Sequence, residues 1–111
     1  MKRLLLVEDE AIIAFDLAEQ LATAGFENVS IATSLAAGLA QCDACDVAVI
    51  DVNLGRGQTS EPIAAKLTTM GRPFVVVTGY GVDQLPDVFT TAPVLRKPLN
   101  FPLLVRELNR L

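Results

Sequence analysis

The chain lacks histidine and tryptophan altogether, and only two of its 111 residues are cysteine. Cys42 and Cys45 form one CxxC pair, without the second pair or the histidine that would complete a closed zinc site. The spacing also occurs in redox pairs, but those lie at helix N-termini, where the thiol pKa falls. Because this pair follows a predicted helix, we favour incidental placement in a helix-to-strand turn over a redox role.

Basic residues are too few to form a nucleic-acid surface, since 9 Lys and Arg stand against 13 Asp and Glu. Long apolar runs are also absent. The run before Glu8-Asp9-Glu10 is too short for a signal-peptide core or a membrane span. We therefore expect a cytoplasmic protein that binds neither nucleic acid nor membrane.

The length suits one domain, 1–111, with an aliphatic core that needs no disulfide. Short apolar runs predict five strands, and helical periodicity between them predicts the intervening helices. The predicted strands are 2–7, 28–33, 47–51, 73–78 and 94–96, and the predicted helices are 10–24, 34–42, 61–70, 83–89 and 100–111.

Capping residues set the predicted helix ends. Ser34, Ser60 and Asn100 are the expected N-caps, and Gly25 should end the first helix. Pro86 should be confined to the first turn of the short fourth helix.

Apolar spacing predicts which helix faces meet the sheet. In the first helix Ile12 and Phe15 lie off the main stripe, and they either form a docking face for a partner's helices or pack against the final helix. The expected buried stripes are Ile13, Leu17 and Leu21 in the first helix and Leu104, Leu108 and Leu111 in the last.

Five β-α units in succession predict the α/β class, a parallel sheet with helices on both faces and right-handed crossovers. Every strand but the second ends in a chemically reactive side chain. In the doubly wound order 2-1-3-4-5, strands one and three are neighbours at the switch point, beyond which ligands bind.

Asp51 ends a strand that should be buried on both faces. A charge is costly inside an apolar layer, so its carboxylate should emerge where the strand leaves the core. Asp9 follows the adjacent first strand, about 4.8 Å away. The two can share one Mg²⁺, whose oxygen ligands lie at about 2.0–2.1 Å.

Glu8, Asp9 and Asp51 would repel one another, and a dication with Lys97 would relieve that repulsion. Such a site suits phosphoryl transfer onto a carboxylate, where catalysis is mostly positioning and charge neutralisation. Without a histidine the chain cannot hold a phosphohistidine donor, so the phosphoryl group must arrive from another molecule. The predicted roles are nucleophile and phosphoacceptor for Asp51, direct Mg²⁺ ligands for Asp9 and Asp51, a water-mediated ligand for Glu8, a backbone carbonyl ligand from Asn53, and donors to the phosphoryl oxygens for Thr78 and Lys97.

The sequence resembles the receiver domain of two-component response regulators. The resemblance spans the chain and is carried by LLLVEDE (4–10), VAVIDVN (47–53), VVVTGYG (75–81) and LRKP (95–98). It implies a flavodoxin-like fold, a cis Lys97-Pro98 bond and phosphorylation of Asp51 by a histidine kinase or a histidine phosphotransfer protein. It further implies a signalling module rather than an enzyme, one that catalyses only its own phosphorylation and dephosphorylation. Such a module acts on a downstream protein, which the sequence does not identify.

Pro73-Phe74 with Thr78-Gly79-Tyr80 further resembles a subgroup of receivers, often single-domain, with the pattern PFxFATG[G/Y]. That subgroup tends to work with alphaproteobacterial kinases of the HWE type. Most receivers carry an aromatic rotor three residues before the lysine, where this chain has Val94, a side chain too small for that role. We therefore predict Thr78 and Tyr80 as the switch residues.

Two other functions stay open at this point. One is an acyl-phosphate hydrolase like the haloacid dehalogenases, although Asn53 stands where such enzymes have a second acid. The other is a receiver-like interaction module that is never phosphorylated. Nucleotide binding through Gly55-Arg56-Gly57 is not expected, because the first strand is followed by acids rather than glycines.

Overall fold

Five strands and five α-helices alternate along residues 2–111, the part of the chain that the computed structural model describes. The strands are β1 (Leu4–Val7), β2 (Val29–Ala32), β3 (Val47–Asp51), β4 (Phe74–Thr78) and β5 (Val94–Arg96). The helices are α1 (Ala11–Thr23), α2 (Leu35–Gln41), α3 (Glu61–Thr69), α4 (Asp87–Thr90) and α5 (Phe101–Arg110), with single 3₁₀ turns at Cys42–Ala44 and Val82–Gln84.

The strands form one parallel sheet in the order β2-β1-β3-β4-β5, as predicted. The register pairs Val7 of β1 with Ile50 of β3, and Asp51 with Val77 of β4. These pairings bring the carboxyl ends of β1, β3 and β4 side by side. The order reverses between β1 and β3, so the sheet opens a crevice at the predicted switch point.

Alternate residues of the strands feed two separate apolar layers. On one side of the sheet, Leu5, Ile50 and Val76 pack with residues of α2, α3 and α4. On the other side, Leu6 and Val49 belong to the layer that α1 and α5 cover. The central strands are buried on both faces, which explains their nearly unbroken aliphatic sequences.

The predicted caps at Ser34 and Asn100 are confirmed, because each side-chain oxygen accepts a backbone N–H of its helix at 3.1 Å. Ser60 occupies the predicted N-cap position of α3, but its side chain does not act as a cap. Its side chain makes no capping hydrogen bond, and its Oγ is buried without a partner within residues 2–111. The hydroxyl of Thr59 instead accepts the N–H of Glu61 at 3.3 Å.

Two further predictions about helices need correction. Ile13 is 48% exposed, whereas Ala14, Leu17 and Leu21 form the buried stripe of α1; Ile13 lies one position to the side of that stripe. The segment predicted as one helix from Asp83 to Phe89 is broken before Pro86, which precedes the first residue of α4. Proline disfavours helical backbone in the residue before it, and Leu85 is extended at ψ 144°.

The CxxC pair lies in the core, at and beside the 3₁₀ turn that leads into β3. Cys42 and Cys45 are both buried and form no disulfide. Burial is the main cause that raises the pKa of each thiol, which disfavours the reactive thiolate. This environment supports incidental placement of the pair. No helix within residues 2–111 is long and apolar enough to cross a membrane.

Candidate functional site

The carboxyl edge of the sheet surrounds a cavity of about 340 Å³. The strand ends supply its walls, as the register of β1, β3 and β4 requires. The cavity is lined by all six residues that were predicted for the metal and transfer roles. The lining residues are Glu8, Asp9, Glu10, Asp51, Asn53, Gly55, Thr78, Gly79, Tyr80 and Lys97.

Three acids converge at one end of this cavity. Glu8, Asp9 and Asp51 each present a carboxylate oxygen, and these oxygens all lie within 4.8 Å of one another. Glu8 and Asp51 are each only 6% exposed. Burial, followed by the neighbouring Asp51, raises the pKa of Glu8 to about 8. In the absence of a cation, a protonated Glu8 can therefore donate a hydrogen bond to the Asp51 carboxylate.

Lys97 reaches the acids from β5, two strands away from β3. Its Nζ donates to Asp51 Oδ2 at 2.8 Å, and its backbone N–H donates to the Thr78 carbonyl at 2.8 Å. Burial opposes the charged form of Lys97, but the hydrogen bond and charge of Asp51 outweigh it and raise the lysine pKa. The Lys97-Pro98 peptide bond is cis, as the resemblance implied.

Thr78 and Tyr80 are joined directly across the loop after β4. Thr78 is 1% exposed, and its Oγ1 accepts the backbone N–H of Tyr80 at 3.0 Å. The Tyr80 side chain is 49% exposed and borders the cavity. A displacement of the Thr78 side chain would thus act on the Tyr80 backbone through one hydrogen bond.

The loop after β3 closes the acidic end of the cavity. Asn53 Oδ1 accepts the N–H of Gly55 at 3.0 Å, which folds the loop into a tight turn. Gly55 has φ +76°, and a Cβ atom there would lie 3.1 Å from Asp9 Oδ2. Glycine is favoured by the left-handed backbone, and a side chain there would have to displace the Asp9 carboxylate by a few tenths of an ångström.

The residues at this end fit a divalent cation. Hard oxygen donors from three carboxylates lie close together around a cavity, and such donors are the ones that Mg²⁺ and Ca²⁺ prefer. Asn53 and Gly55 of the loop after β3 border the same space. A cation there would relieve the repulsion that now favours protonation of Glu8.

Three residues that line the cavity, Glu10, Gly55 and Gly79, were not predicted as site residues from the sequence. Glu10 lines the cavity with an exposed carboxylate, and Gly55 approaches Asp9. The acid at position 10 was assigned to the first turn of a helix, but α1 begins one residue later. From the sequence, Gly55 was considered only within Gly55-Arg56-Gly57 as a nucleotide-binding loop, because its distance from Asp9 depends on the folded chain.

No protein-family model matches the chain. No curated protein matches it either.

Solved structures match it over nearly its whole length. The CheY-like response regulator receiver domain protein from Methanospirillum hungatei JF-1 is 25% identical, with a TM-score of 0.84 over 99% of this chain and 92% of its own. SdrG from Sphingomonas melonis Fr1 is 33% identical, with a TM-score of 0.80 over 98% of this chain and 94% of its own. TrrA from Thermotoga maritima, in complex with Mg²⁺-BeF, is 22% identical, with a TM-score of 0.84 over 99% of this chain and 98% of its own.

The structural neighbours are CheY-like receiver domains of response regulators. With 33% identity over 98% of its length to one of the solved structures, the chain belongs to this family. The flavodoxin-like fold and the strand order predicted from the sequence are those of the family.

Proposed function

We propose that the chain is a phosphoacceptor module of a two-component phosphorelay and that Asp51 receives the phosphoryl group. The observation that carries this proposal is the position of Asp51, held by Lys97 at 2.8 Å within the acid cluster. A structural neighbour, TrrA, has been solved with Mg²⁺-BeF, and beryllium fluoride imitates a phosphoryl group. That complex supports phosphoryl chemistry on this fold, and we assign Asp51 of this chain as the nucleophile.

The cation that we propose is Mg²⁺. Asp9 and Asp51 would bind it directly, Glu8 through a water molecule, and Asn53 through its backbone carbonyl. When bound, the ion would act as a Lewis acid that stabilises negative charge on the oxygens of the phosphoryl group. Clearance around Asp9 depends on Gly55, which has no side chain to fill the space.

The transfer needs no proton from Asp51, because the attacking group is a carboxylate. One Asp51 oxygen forms a bond to phosphorus while the bond from phosphorus to the donor's leaving atom breaks, and the electron pair leaves with that atom. Lys97 and Thr78 donate to the phosphoryl oxygens, whose charge strengthens both hydrogen bonds. Lys97 already lies against the nucleophile, so it needs only a short movement to follow the charge onto the phosphoryl group.

The readout that we propose runs from Thr78 to Tyr80. When the Thr78 hydroxyl donates to a phosphoryl oxygen, the hydrogen bond that it accepts from the Tyr80 N–H draws the loop with it. Val94, at the position of the usual aromatic rotor, is too small for that role. Tyr80, with glycines on both sides, is therefore the group that we expect to move and to be recognised by a downstream protein.

The phosphodonor that we propose is a histidine kinase or a histidine phosphotransfer protein. Ile12 and Phe15 of α1 are 85% and 63% exposed, so packing against the final helix does not bury them. They lie within a few residues of Asp9 and offer an apolar surface for the donor's helices. Pro73-Phe74 and Thr78-Gly79-Tyr80 support assignment to the PFxFATG[G/Y] subgroup.

We propose a signalling role rather than an enzymatic one, with transfer and dephosphorylation catalysed by the module on itself. A hydrolase like the haloacid dehalogenases uses a second acid two residues after its nucleophile. Asn53 occupies that position, and its side-chain oxygen is engaged by the Gly55 N–H at 3.0 Å. No observation favours that alternative.

Intact-mass measurement tests the function. Incubation with acetyl phosphate and Mg²⁺ should add one phosphoryl group to the chain, and Asp51→Asn should abolish the addition. Asp43→Asn is the matched control, because Asp43 is exposed and lies outside the cavity, and it should be labelled like the wild type. Labelling of Asp51→Asn at the wild-type rate would overturn the assignment.

A further inference from the structure

Glu10 is an exposed acid at the rim of the cavity, and none of the predicted roles uses it. Its carboxylate forms no ion pair within residues 2–111. The charge nevertheless acts on the site, since Glu10 is among the groups that favour the protonated form of Lys97. Because Glu10 lines the same cavity as Asp51 and Lys97, its charge can act on charges that enter that cavity.

Helix α1 does not account for this residue. Glu10 occupies the N-cap position, where Ser, Thr, Asp or Asn is favoured, and its side chain makes no capping hydrogen bond. Its backbone N–H instead donates to Glu8 Oε1 at 3.1 Å. The backbone of Glu10 is thus tied to the acid cluster, which holds this residue at the cavity rim.

The charges around the cavity do not balance even with a metal bound. Four carboxylates line it, those of Glu8, Asp9, Glu10 and Asp51, against the single ammonium of Lys97. A divalent cation and Lys97 together offset three negative charges. One negative charge is therefore left uncompensated, and an incoming phosphodonor must approach it. Of the four carboxylates, that of Glu10 is the most exposed.

We propose that Glu10 is a specificity-determining residue that selects against highly charged small phosphodonors and in favour of donors that bring less negative charge. The inference rests on the proposed function, because it concerns the donor that reaches Asp51. Acetyl phosphate is a dianion at neutral pH, whereas phosphoramidate, which has the P–N bond of a phosphohistidine, is a monoanion. Repulsion by one fixed charge should therefore slow the first donor more than the second.

Both donors transfer the same group to the same atom. With acetyl phosphate, an Asp51 oxygen bonds to phosphorus, the bond from phosphorus to the acetyl oxygen breaks, and acetate leaves with the electron pair. With phosphoramidate, the bond from phosphorus to the protonated nitrogen breaks, and ammonia leaves with the electron pair. The two donors differ only in the charge that they bring past Glu10 and in their leaving group. For a given donor the leaving group is the same with every protein variant.

The test compares Glu10→Gln and Glu10→Lys with the wild type at saturating Mg²⁺ and low salt. For Glu10→Gln we expect labelling by acetyl phosphate to be about five-fold faster and labelling by phosphoramidate about two-fold faster. The logarithm of the rate increase caused by Glu10→Gln should be about twice as large for the dianionic donor as for the monoanionic donor. Glu10→Lys should extend both changes in the same direction, and about 1 M salt should remove most of the difference between donors.

Glu27→Gln is the matched control. It makes the same chemical change at an exposed residue before β2, on the opposite edge of the sheet, and should leave the donor ratio unchanged. If Glu10 serves only the helix dipole, Glu10→Gln will lower the melting temperature and leave the donor ratio unchanged. If it serves only metal binding, the labelling rates will be unchanged at saturating Mg²⁺, and below saturation both donors will change equally.

Either of those outcomes overturns the inference about Glu10 while leaving the proposed function intact. A wild-type chain that neither donor labels overturns the proposed function instead. Circular dichroism of each variant verifies the fold, which an exposed substitution at the helix end should leave unchanged.

Discussion

Lys97 Nζ donates to Asp51 Oδ2 at 2.8 Å across 46 positions of sequence. Asp51 ends β3, and Lys97 directly follows β5. Strand β4 lies between these two strands, and the side chain of Lys97 crosses that distance to reach the carboxylate. Asp51 is nearly buried, whereas 41% of the Lys97 side chain is exposed. The ammonium therefore compensates a carboxylate that cannot be hydrated, while most of its own hydration cost is avoided.

Removing Lys97 should destabilise the metal-free protein and weaken transfer. Lys97→Ala should lower the free energy of unfolding by about 1–3 kcal/mol, between the ranges for exposed and buried pairs. It should also slow labelling by acetyl phosphate, because one donor to the phosphoryl oxygens is lost. Urea unfolding in EDTA measures the first effect and intact mass the second.

Arg110→Ala provides the comparison for that experiment. Arg110 pairs with Glu107 at 3.3 Å, and its side chain is 69% exposed, so the loss of that ion pair should cost less than about 1 kcal/mol. Equal destabilisation by Arg110→Ala and Lys97→Ala would argue against the burial of Asp51 as the cause.

Mg²⁺ should stabilise the fold through the acid cluster. Binding to the native state alone adds RT ln(1+[L]/Kd), so a tenfold excess over Kd gives about 1.4 kcal/mol. For a domain of about 100 residues this corresponds to a rise of about 6–11 °C in melting temperature. Differential scanning calorimetry with MgCl₂, against KCl of equal ionic strength, measures the shift.

Asp9→Asn should abolish most of that shift, because it removes a direct ligand. Asp43→Asn, which changes an exposed acid outside the cluster, should leave the shift unchanged. A melting temperature that does not respond to millimolar Mg²⁺ would contradict the metal site.

The stability of the metal-free protein should fall as the pH rises towards 8. Burial and the neighbouring Asp51 raise the pKa of Glu8 to about 8, so the native state holds a proton that the unfolded chain has lost above its ordinary pKa near 4.5. The contribution is fully present below that ordinary value, and it is lost as the pH rises through the raised pKa. Urea unfolding in EDTA from pH 5 to pH 9 measures this slope.

Glu8→Gln carries no titrating proton and should flatten the curve across that window. Asp46 should give a slope of stability against pH of the opposite sign, and in a more acidic pH range. Its hydrogen bonds with Arg3 lower the pKa of Asp46 to about 2. That contribution is lost as the pH falls below the ordinary range of an aspartate. A slope between pH 5 and pH 9 that is unchanged in Glu8→Gln would refute the role of Glu8.

Most of the fold was predictable because the strands are short aliphatic runs that end abruptly at polar residues. The run Val47–Asp51 defines both a buried strand and the place where it leaves the core. Ser60 shows the limit of such local patterns. Its sequence context is that of a cap, but the turn before α3 directs its hydroxyl into the core and leaves the capping contact to Thr59.

The site was predictable where residues follow strands and unpredictable where loops bring residues back. Asp9, Asp51, Thr78 and Lys97 follow strand ends, so strand order alone brings them together. The proximity of Gly55 to Asp9 depends instead on the path of a loop, which no periodicity encodes. Glu10 lines the same cavity as the N-cap residue of α1, a helix that begins one position later than the sequence pattern indicated.

Phosphorylation should reorder the segment 79–89 and leave α5 nearly unchanged. Thr78 and Tyr80 are linked by a hydrogen bond of 3.0 Å, and Gly79 and Gly81 permit backbone changes that other residues resist. Beyond them, only a 3₁₀ turn and the four residues of α4 follow before β5, and elements that short have low local stability. Tyr80→Ala should therefore keep phosphorylation and lose the response of the partner.

Hydrogen exchange with and without beryllofluoride decides whether this route is used. The proposal expects protection changes in 79–89, including a change at the Tyr80 amide that Thr78→Ala reduces by removing the acceptor hydroxyl. Val94→Ala is the matched control. Val94 is already too small to act as a rotor, so a smaller side chain there should leave the protection changes in 79–89 in place. If Tyr80 only covers the site against water, Tyr80→Ala will mainly speed dephosphorylation. Protection changes confined to 94–111, with 79–89 silent, would place the readout on β5 and α5 and refute the route through Tyr80.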